Sequence, residues 1–418
     1  MINRNLLSGN HLKRLALSAC ALFGALAIAA CGGSGNTTQP ATNVKNAAFI
    51  SNMFSGNLQV VDTQNDTTSF TAQTTNSSGQ LIQGQPVNIP VSTTVTFEVV
   101  SPDKSQTLVY DPSNFTFYAV NNTTQMLLHT LPSAAAASMA LFSGDSSTIY
   151  VPVPSAPVSG HRPGLVQGWT STDGANTKNY TVAAARYVAL SPNGQFLLAF
   201  SDNSDSIILI DTTASTTTYV AIPGFARPIN AFFTSDNKTA YVLNCGPECG
   251  SSGPASVARL DIPSRTITAT VPVGGASVGL MDGSTLYVAG SPVPSGTTST
   301  FDAVNISSMS RITTNSVAIG DGFHTTMALA QNHKLYIGAS SCTNTTTGCL
   351  SVVDVTSNTA DPPLPPRGAI TSLLAINNRN VVYAIEGGVV HIYDTTNDML
   401  QSTQLIFRGA LYGIVQAN

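Results

Sequence analysis

A short apolar segment recurs eight times along the chain, and this repetition constrains the fold more than any other feature of the sequence. The copies read NAAFIS, QTLVYD, STIYVPV, QFLLAFS, TAYVLN, TLYVAG, KLYIGA and VVYAIE. When they are aligned, the steps between copies are 60, 41, 48, 43, 46, 49 and 47 residues, and one column holds Phe49, Val109, Tyr150, Leu198, Tyr241, Tyr287, Tyr336 and Tyr383. One four-stranded propeller blade takes about 40–50 residues.

A second motif follows each copy and ends in a polar residue. This polar column is Asp62, Asn121, Thr170, Asp211, Asp261, Asn305, Asp354 and Asp394. Such side chains could bind metal, or they could bond a nearby backbone N–H and close a hairpin turn. Because the residues are spread one per repeat, the pattern favours turn capping. Tight turns such as SPNG at residues 191–194 precede all copies except the first.

The repeat predicts an all-β chain that folds as a single β-propeller of four-stranded blades. Eight blades are expected, or seven if the irregular residues 71–91 do not belong to a blade. The C-terminal RGALYGIVQAN resembles an innermost strand, and the N-terminal NAAFIS lacks one before it. Pairing of these two segments would complete one blade and close the ring without free edges.

The strand–turn–strand pattern "SPNGQFLLAF…IILIDTT" resembles the YVTN-type propeller repeat of bacterial surface and periplasmic proteins. The resemblance covers residues 46–418 and implies architecture more than activity. It extends distantly to lactonase-type propellers, whose enzymes use acidic, His and Arg groups at the channel mouth.

The N-terminus predicts export and lipid attachment. A basic stretch precedes the apolar, uncharged residues 15–30, which are short for a membrane span and fit a signal peptide. The sequence Ile28-Ala29-Ala30-Cys31 resembles the lipobox of bacterial lipoproteins, which implies lipidation of Cys31. The following Gly32, where Asp would imply inner-membrane retention, implies the outer membrane in a Gram-negative host. We therefore expect a signal peptide at residues 1–30, a flexible polar tether at 31–46 and the propeller at 47–418.

Composition narrows the possible partners. The hydrophobic share of 42% is ample for a core, and the charged share is only 9%. The net charge of −4 becomes near −7 when the three basic residues of the first 30 are removed, which speaks against nucleic acid. The expected partners are the membrane, through the lipid, and a protein or a small anionic ligand.

Four cysteines remain beyond Cys20 and Cys31. They form two close pairs, Cys245 with Cys249 and Cys342 with Cys349, each in a loop between the second and third strands of a blade. Their spacings are poor for zinc and no His lies close by, so local disulfides of an oxidising compartment are favoured over a redox or metal pair.

Basic residues cluster just before innermost strands, which line the central channel of a propeller. These residues are Arg186, Arg227, His324, Arg367 and Arg408. They lie on the face that carries the variable loops, so the sequence predicts a candidate anion or ligand site there. The alternative is that the arginines are merely solvated.

Two functions remain open: a binding or scaffold module acting through this face, and a lactonase-like hydrolase of a small anionic substrate. The hydrolase requires Arg227, Arg367, Arg408, His324 and Glu98 or Glu386 to meet in one pocket. No phosphate-cradling loop, GxSxG elbow or metal-spaced cluster is found, so no catalytic residue, cofactor or metal is predicted and binding is favoured. Assistance in outer-membrane assembly is a third possibility, by analogy of fold alone.

Overall fold

The computed structural model describes residues 44–68, 74–75, 81–82, 88–92, 94–156, 158, 163–293, 299–344, 346, 348–365 and 368–418. Cys31, the predicted signal peptide, nearly all of the predicted tether and Arg367 lie outside them. The described chain is an eight-bladed β-propeller of antiparallel four-stranded sheets, as the repeat predicts. Among the described residues, no helix is both long and apolar enough to cross a membrane.

Blade 1 joins the two ends of the chain. Its strands, from the channel outward, are β37 (Leu411–Gln416), β1 (Ala47–Asn52) and β2 (Asn57–Asp62), with β3 (Thr67–Thr68) and β6 (Asn88–Pro90) both pairing with β2. Two short strands, β4 (Thr74–Thr75) and β5 (Leu81–Ile82), pair with each other. Because β6 lies within residues 71–91 and pairs with β2 of blade 1, the irregular stretch does not reduce the number of blades.

Blades 2 to 5 each follow the chain from the channel outward. Their strands are β7 (Glu98–Val100), β8 (Gln106–Asp111), β9 (Thr116–Asn121) and β10 (Met126–Pro132); β11 (Leu141–Phe142), β12 (Thr148–Val153), β13 (Leu165–Thr170) and β14 (Asn176–Thr181); β15 (Ala185–Leu190), β16 (Phe196–Ser201), β17 (Ser206–Asp211) and β18 (Tyr219–Pro223); β19 (Pro228–Phe233), β20 (Thr239–Asn244), β21 (Ser256–Asp261) and β22 (Thr266–Pro272). A 3-10 helix, η1 (Gly246–Cys249), lies between β20 and β21.

Blades 6 to 8 repeat this order, with a divided outer strand in two of them. Their strands are β23 (Val278–Asp282), β24 (Thr285–Gly290), β25 (Ser299–Asn305), β26 (Ser310–Arg311) and β27 (Val317–Ile319); β28 (His324–Leu329), β29 (Lys334–Ala339), β30 (Leu350–Asp354) and β31 (Thr359–Ala360); β32 (Ser372–Ala375), β33 (Val381–Glu386), β34 (Val389–Asp394), β35 (Met399–Leu400) and β36 (Leu405–Ile406).

The core lies between the blades, because both faces of each sheet are covered by a neighbour. In β16, Leu197 and Ala199 pack toward blade 3, whereas Leu198 and Phe200 pack toward blade 5. This alternation follows from the two-residue period of a strand. It explains why the recurring segments are continuously apolar instead of alternating with polar residues.

The polar column caps turns, as the sequence predicts. Each of its eight residues is the last residue of a third strand. Asp62 accepts a hydrogen bond from the Gln64 N–H at 2.9 Å, and Asp394 accepts one from the Thr396 N–H at 2.9 Å. Within the described part of the chain, no group of three or more His, Cys, Asp or Glu side chains could hold a metal ion.

Two aligned tyrosines tie their blade to the next one. Tyr336 of blade 7 donates to Asp398 of blade 8 at 2.7 Å, and Tyr383 of blade 8 donates to Asp66 of blade 1. Both aspartates occupy the left-handed conformation in the turn after a third strand, with φ of 53°. In these two copies the aligned tyrosine therefore makes a hydrogen bond to the next blade in addition to packing in the core.

Ring closure has two components. Strand β1 pairs antiparallel with β37, with Phe49 opposite Val415. On the tight-turn side, Arg379 makes a bidentate ion pair with Asp66, with N–O distances of 2.6 and 2.7 Å. The predicted pairing of the N- and C-terminal segments is confirmed.

Candidate functional site

A cavity of about 810 Å³ opens at the mouth of the central channel. Its wall includes residues within the first three positions of innermost strands from five blades, namely Tyr187, Pro228, Val278, His324 and Tyr412. Innermost strands begin on the face that carries the loops between second and third strands. The cavity therefore lies on the loop face, where variable segments meet a rigid scaffold.

Two predicted arginines line this cavity, and each meets an aspartate from one loop of blade 4. Arg186 makes a bidentate pair with Asp202, with Nη2 at 2.6 Å from Oδ2, and also donates to Ser138 at 3.0 Å. Arg227 approaches Asp205 more loosely, with 3.3 Å between Nη1 and Oδ1. The positive potential is consequently smaller than two free guanidinium groups would produce.

Arg227 retains unused hydrogen-bonding capacity. Its Nε is buried and has no hydrogen-bond partner in the described structure, and its side chain is 21% exposed. The residue also has a φ of 54°, which a non-glycine residue adopts at a cost, and its N–H donates to Asp205 at 3.0 Å. A buried N–H without a partner costs free energy in the ligand-free protein.

His324 contributes a neutral ring. It is 1% exposed, and burial lowers its pKa to about 4, although the Gly320 carbonyl and nearby Asp321 oppose the shift. Its Nδ1 has no hydrogen-bond partner among the described residues. At neutral pH the imidazole therefore adds no positive charge to the cavity.

Aromatic side chains supply much of the remaining wall. These are Phe97, Tyr110, Tyr187, Phe323 and Tyr412. Phe97 and Tyr110 stack with their ring centroids 5.2 Å apart, whereas Phe323 and Tyr412 are 44% and 41% exposed. The cavity thus combines apolar rings with a few polar groups, the usual make-up of a small-molecule site.

The structure does not bring Arg408 into this cavity. Arg408 lines a second cavity of about 510 Å³, also on the loop face, between blades 8 and 1. Arg367 lies outside the described residues. Of the five residues of the predicted site, Arg186, Arg227 and His324 share one cavity, and binding of an anion there stays a prediction.

The two acids of the hydrolase hypothesis lie elsewhere. Glu98 begins β7, is 9% exposed and lies against Gly413 of blade 1. Glu386 ends β33 and is 3.1 Å from the Nε2 of His391. Neither carboxylate is in the described wall of the channel-mouth cavity. The constellation that hydrolysis would require is not assembled there.

Both predicted disulfides are present on the loop face. Cys245–Cys249 encloses η1, and Cys342–Cys349 closes a loop of blade 7. From η1, Glu248 accepts a hydrogen bond from the Ser291 N–H at 2.8 Å, and burial raises the pKa of this carboxyl. The first disulfide therefore stabilises a loop of blade 5 that reaches across to blade 6.

Sequence reasoning missed the residues that pair with the arginines. Asp202 and Asp205 stand in the segment SDNSDS, between the second and third strands of blade 4. The sequence could have indicated only that these two aspartates lie on the loop face, from their position in the repeat. The aromatic wall had no signal of its own in the sequence, because its five residues come from four different blades.

Fold and site together define an eight-bladed β-propeller with a cavity at its channel mouth. Comparison with known proteins supports the architecture. The dihydro-heme d1 dehydrogenase NirN, solved in complex with DHE, is 10% identical, covers 89% of this chain and 75% of its own, and has a TM-score of 0.63. A functionally unknown protein from Desulfotomaculum acetoxidans is 14% identical, with 76% of this chain and 94% of that one covered and a TM-score of 0.51.

The computationally designed Ika8 protein is also similar, at 12% identity and a TM-score of 0.52, with 76% of this chain and 89% of its own covered. At these identities the likeness shows the fold alone. No protein-family model and no curated protein matches the sequence. The lipoprotein assignment and the YVTN-type repeat therefore stay predictions.

Proposed function

We propose that this protein is a binding module that takes a small ligand in the cavity at the mouth of its channel. One observation carries the proposal: a cavity of about 810 Å³ is lined by aromatic residues and by Arg227, whose buried Nε has no partner in the described structure. A pre-formed apolar pocket with a few aimed polar groups is the ordinary form of a ligand site.

The ligand that fits this cavity has an apolar ring and one anionic group. When the Arg227 guanidinium turns toward the cavity, one carboxylate or phosphate oxygen can accept from Nε and a second from Nη2, because these two donors share one edge of the planar fork. Asp205 is 54% exposed and 3.3 Å away, so it can turn into solvent when the ligand arrives. The tighter Arg186–Asp202 pair stays intact and forms part of the cavity wall.

We expect Arg227→Gln to weaken binding of such ligands by about tenfold or more, since a hydrogen bond to a charged group contributes about 1.5–3 kcal/mol. The measurement is a thermal-shift screen of aromatic carboxylates and aryl phosphates, followed by calorimetry of the best compound. Arg259→Gln is the matched control, because Arg259 lies in β21 and outside the described cavity wall. Equal affinity in wild type and Arg227→Gln would contradict this site.

The proposed module is held at the cell envelope by lipid on Cys31. The lipobox-like segment before Cys31 supports this, as do two disulfides, which persist in oxidising compartments. Several acyl chains anchor far more firmly than one. Gly32 supports the outer membrane as the destination in a Gram-negative host.

We expect a clickable palmitate analogue to label the wild-type protein in a Gram-negative bacterial host and the Cys31→Ala variant to remain unlabelled. The variant should leave the membrane fraction, because the acyl chains provide the attachment. Cys20→Ala is the control and should label normally. Palmitate on Cys31→Ala would exclude lipidation at this residue.

A further inference from the structure

The second cavity, of about 510 Å³, lies at the junction between blades 8 and 1. One wall is the face of blade 1 that turns toward blade 8. Gln59 of β2 stands directly opposite Asn88 of β6, so their side chains share one face of the sheet. Asn57 is two residues before Gln59 and therefore lies on that face as well.

Amide side chains are unexpected at this position of the fold. Counted back from the turn residue that ends each third strand, Gln59 corresponds to Ile208 of blade 4, which packs into the core between blades. Gln59 is 8% exposed, and none of the three amide side chains has a hydrogen-bond partner among the described residues. Gln59 is nearly buried, Asn57 is half-buried and Asn88 is exposed, so the three amides line the cavity with hydrogen-bonding capacity that a ligand could use.

The opposite wall is the connection from β36 to β37. Asn52 is 1% exposed, and its Nδ2 donates to the Arg408 carbonyl at 2.9 Å, which fixes this connection. Gly409 adopts a φ of 120°, and a Cβ there would lie 2.4 Å from Asn52 Oδ1. The glycine is therefore required for this close approach, and the contact with Asn52 fixes the position of this wall.

The rim carries exposed apolar side chains, and the one charged residue of the described lining is Arg408. Phe54 is 77% exposed and Ile406 is 76% exposed, both beside the cavity, and Arg408 is also exposed. No carboxylate is found in the described lining. The cavity therefore offers amide donors and acceptors on its blade 1 wall and the aromatic ring of Phe54 at its rim.

We propose that this cavity is a saccharide-binding site. Each sugar hydroxyl both donates and accepts, and a primary amide offers two donors and an acceptor in one plane, so the three amides suit neighbouring hydroxyls. The C–H face of a sugar ring packs on an exposed aromatic ring such as Phe54. A peptide of apolar side chains would need an apolar floor, but here the floor is polar.

The test is calorimetry and saturation-transfer NMR with glucose, galactose, N-acetylglucosamine, glucuronate and their trisaccharides. We expect wild type to bind at least one of them, and Asn57→Ala combined with Asn88→Ala to weaken binding by about tenfold, as loss of two hydrogen bonds predicts. Phe54→Ala should remove the NMR signal of the ring protons. Arg408→Gln should lower affinity for glucuronate more than for glucose.

Asn176→Ala combined with Asn179→Ala is the matched control, because these two asparagines bond each other on β14 of blade 3. Circular dichroism of each variant separates loss of binding from loss of fold. The proposal is overturned if wild type binds none of these sugars, if binding survives the Asn57/Asn88 variant, or if the control loses it equally. Selective binding of peptides in place of sugars overturns it as well.

Discussion

Replacing Glu98 with Gln should stabilise the propeller at pH 8 by several kcal/mol while changing little at pH 4.5. Glu98 is buried between blades 1 and 2, where neither carboxylate oxygen has a hydrogen-bond partner among the described residues. Burial raises its pKa to about 8, and nearby Ser51 lowers it only in part. Desolvation disfavours the charged form of a carboxyl group.

The sign of the pH dependence follows from proton binding. Below about pH 4.5, Glu98 is protonated in both the folded and the unfolded chain. Between pH 4.5 and 8, the unfolded chain releases the proton and the folded chain keeps it, so the contribution of Glu98 to stability falls as pH rises. The slope is about 1.4 kcal/mol per pH unit, or on the order of 4 kcal/mol across the window.

Urea-induced unfolding of wild type and Glu98→Gln between pH 4.5 and 8.5 measures this effect as a difference between two curves. Taking the difference cancels the contribution of the histidines, because it is the same in both proteins. Burial lowers the pKa of His129, His324 and His391, so their contribution to stability changes with pH in the opposite direction. Asp236→Asn is the control, since its lowered pKa keeps it ionised across the window. Parallel curves for wild type and Glu98→Gln would show that the buried carboxyl does not hold its proton.

Replacing Asp66 with Asn should cost about 2–3 kcal/mol of unfolding free energy, because it breaks a largely buried charge pair at the closing junction. Asp66 accepts both Nη groups of Arg379 and the Tyr383 hydroxyl, and its side chain is 12% exposed. Asn tolerates the left-handed φ of 53°, so the turn itself is retained.

Asp398→Asn is the matched comparison. Asp398 holds the same turn position one blade earlier, accepts from Tyr336 at 2.7 Å and has only a distant ion pair, with Lys334 at 3.7 Å. We expect it to cost less than Asp66→Asn, with Tyr383→Phe costing about 1 kcal/mol. If Asp66→Asn and Asp398→Asn cost the same in urea unfolding, the Arg379 fork contributes nothing to closure.

Sequence patterns were sufficient for the parts of the fold that repeat. The aligned column that contains Tyr336 and Tyr383 lies on second strands, and the polar column caps the turns after third strands. Both could be predicted because each position recurs in the same local geometry. The pairing of β1 with β37 followed from the missing innermost strand of the first copy. Glu98 could be placed on an innermost strand for the same reason.

The site was less accessible because it depends on side chains that cross between blades. Position in the repeat placed Arg186 and Arg227 at the channel mouth, yet it carried no information on Asp202 and Asp205, which partly neutralise them. Arg408 occupies an equivalent position before an innermost strand. The close approach of Asn52 and Gly409 helps to shape a separate cavity around it, a contact between residues 356 or more apart.

The closing strand also sets an order of events during synthesis. Gly413 of β37 donates to the Ser51 hydroxyl, 362 residues earlier in the chain, at 2.9 Å. While the ribosome is still adding residues before Leu411, β1 keeps a free edge, and nascent chains with open edges are prone to aggregate. Ring closure therefore waits until β37 has been synthesised, so a chain that stops before Leu411 leaves the edge of β1 open.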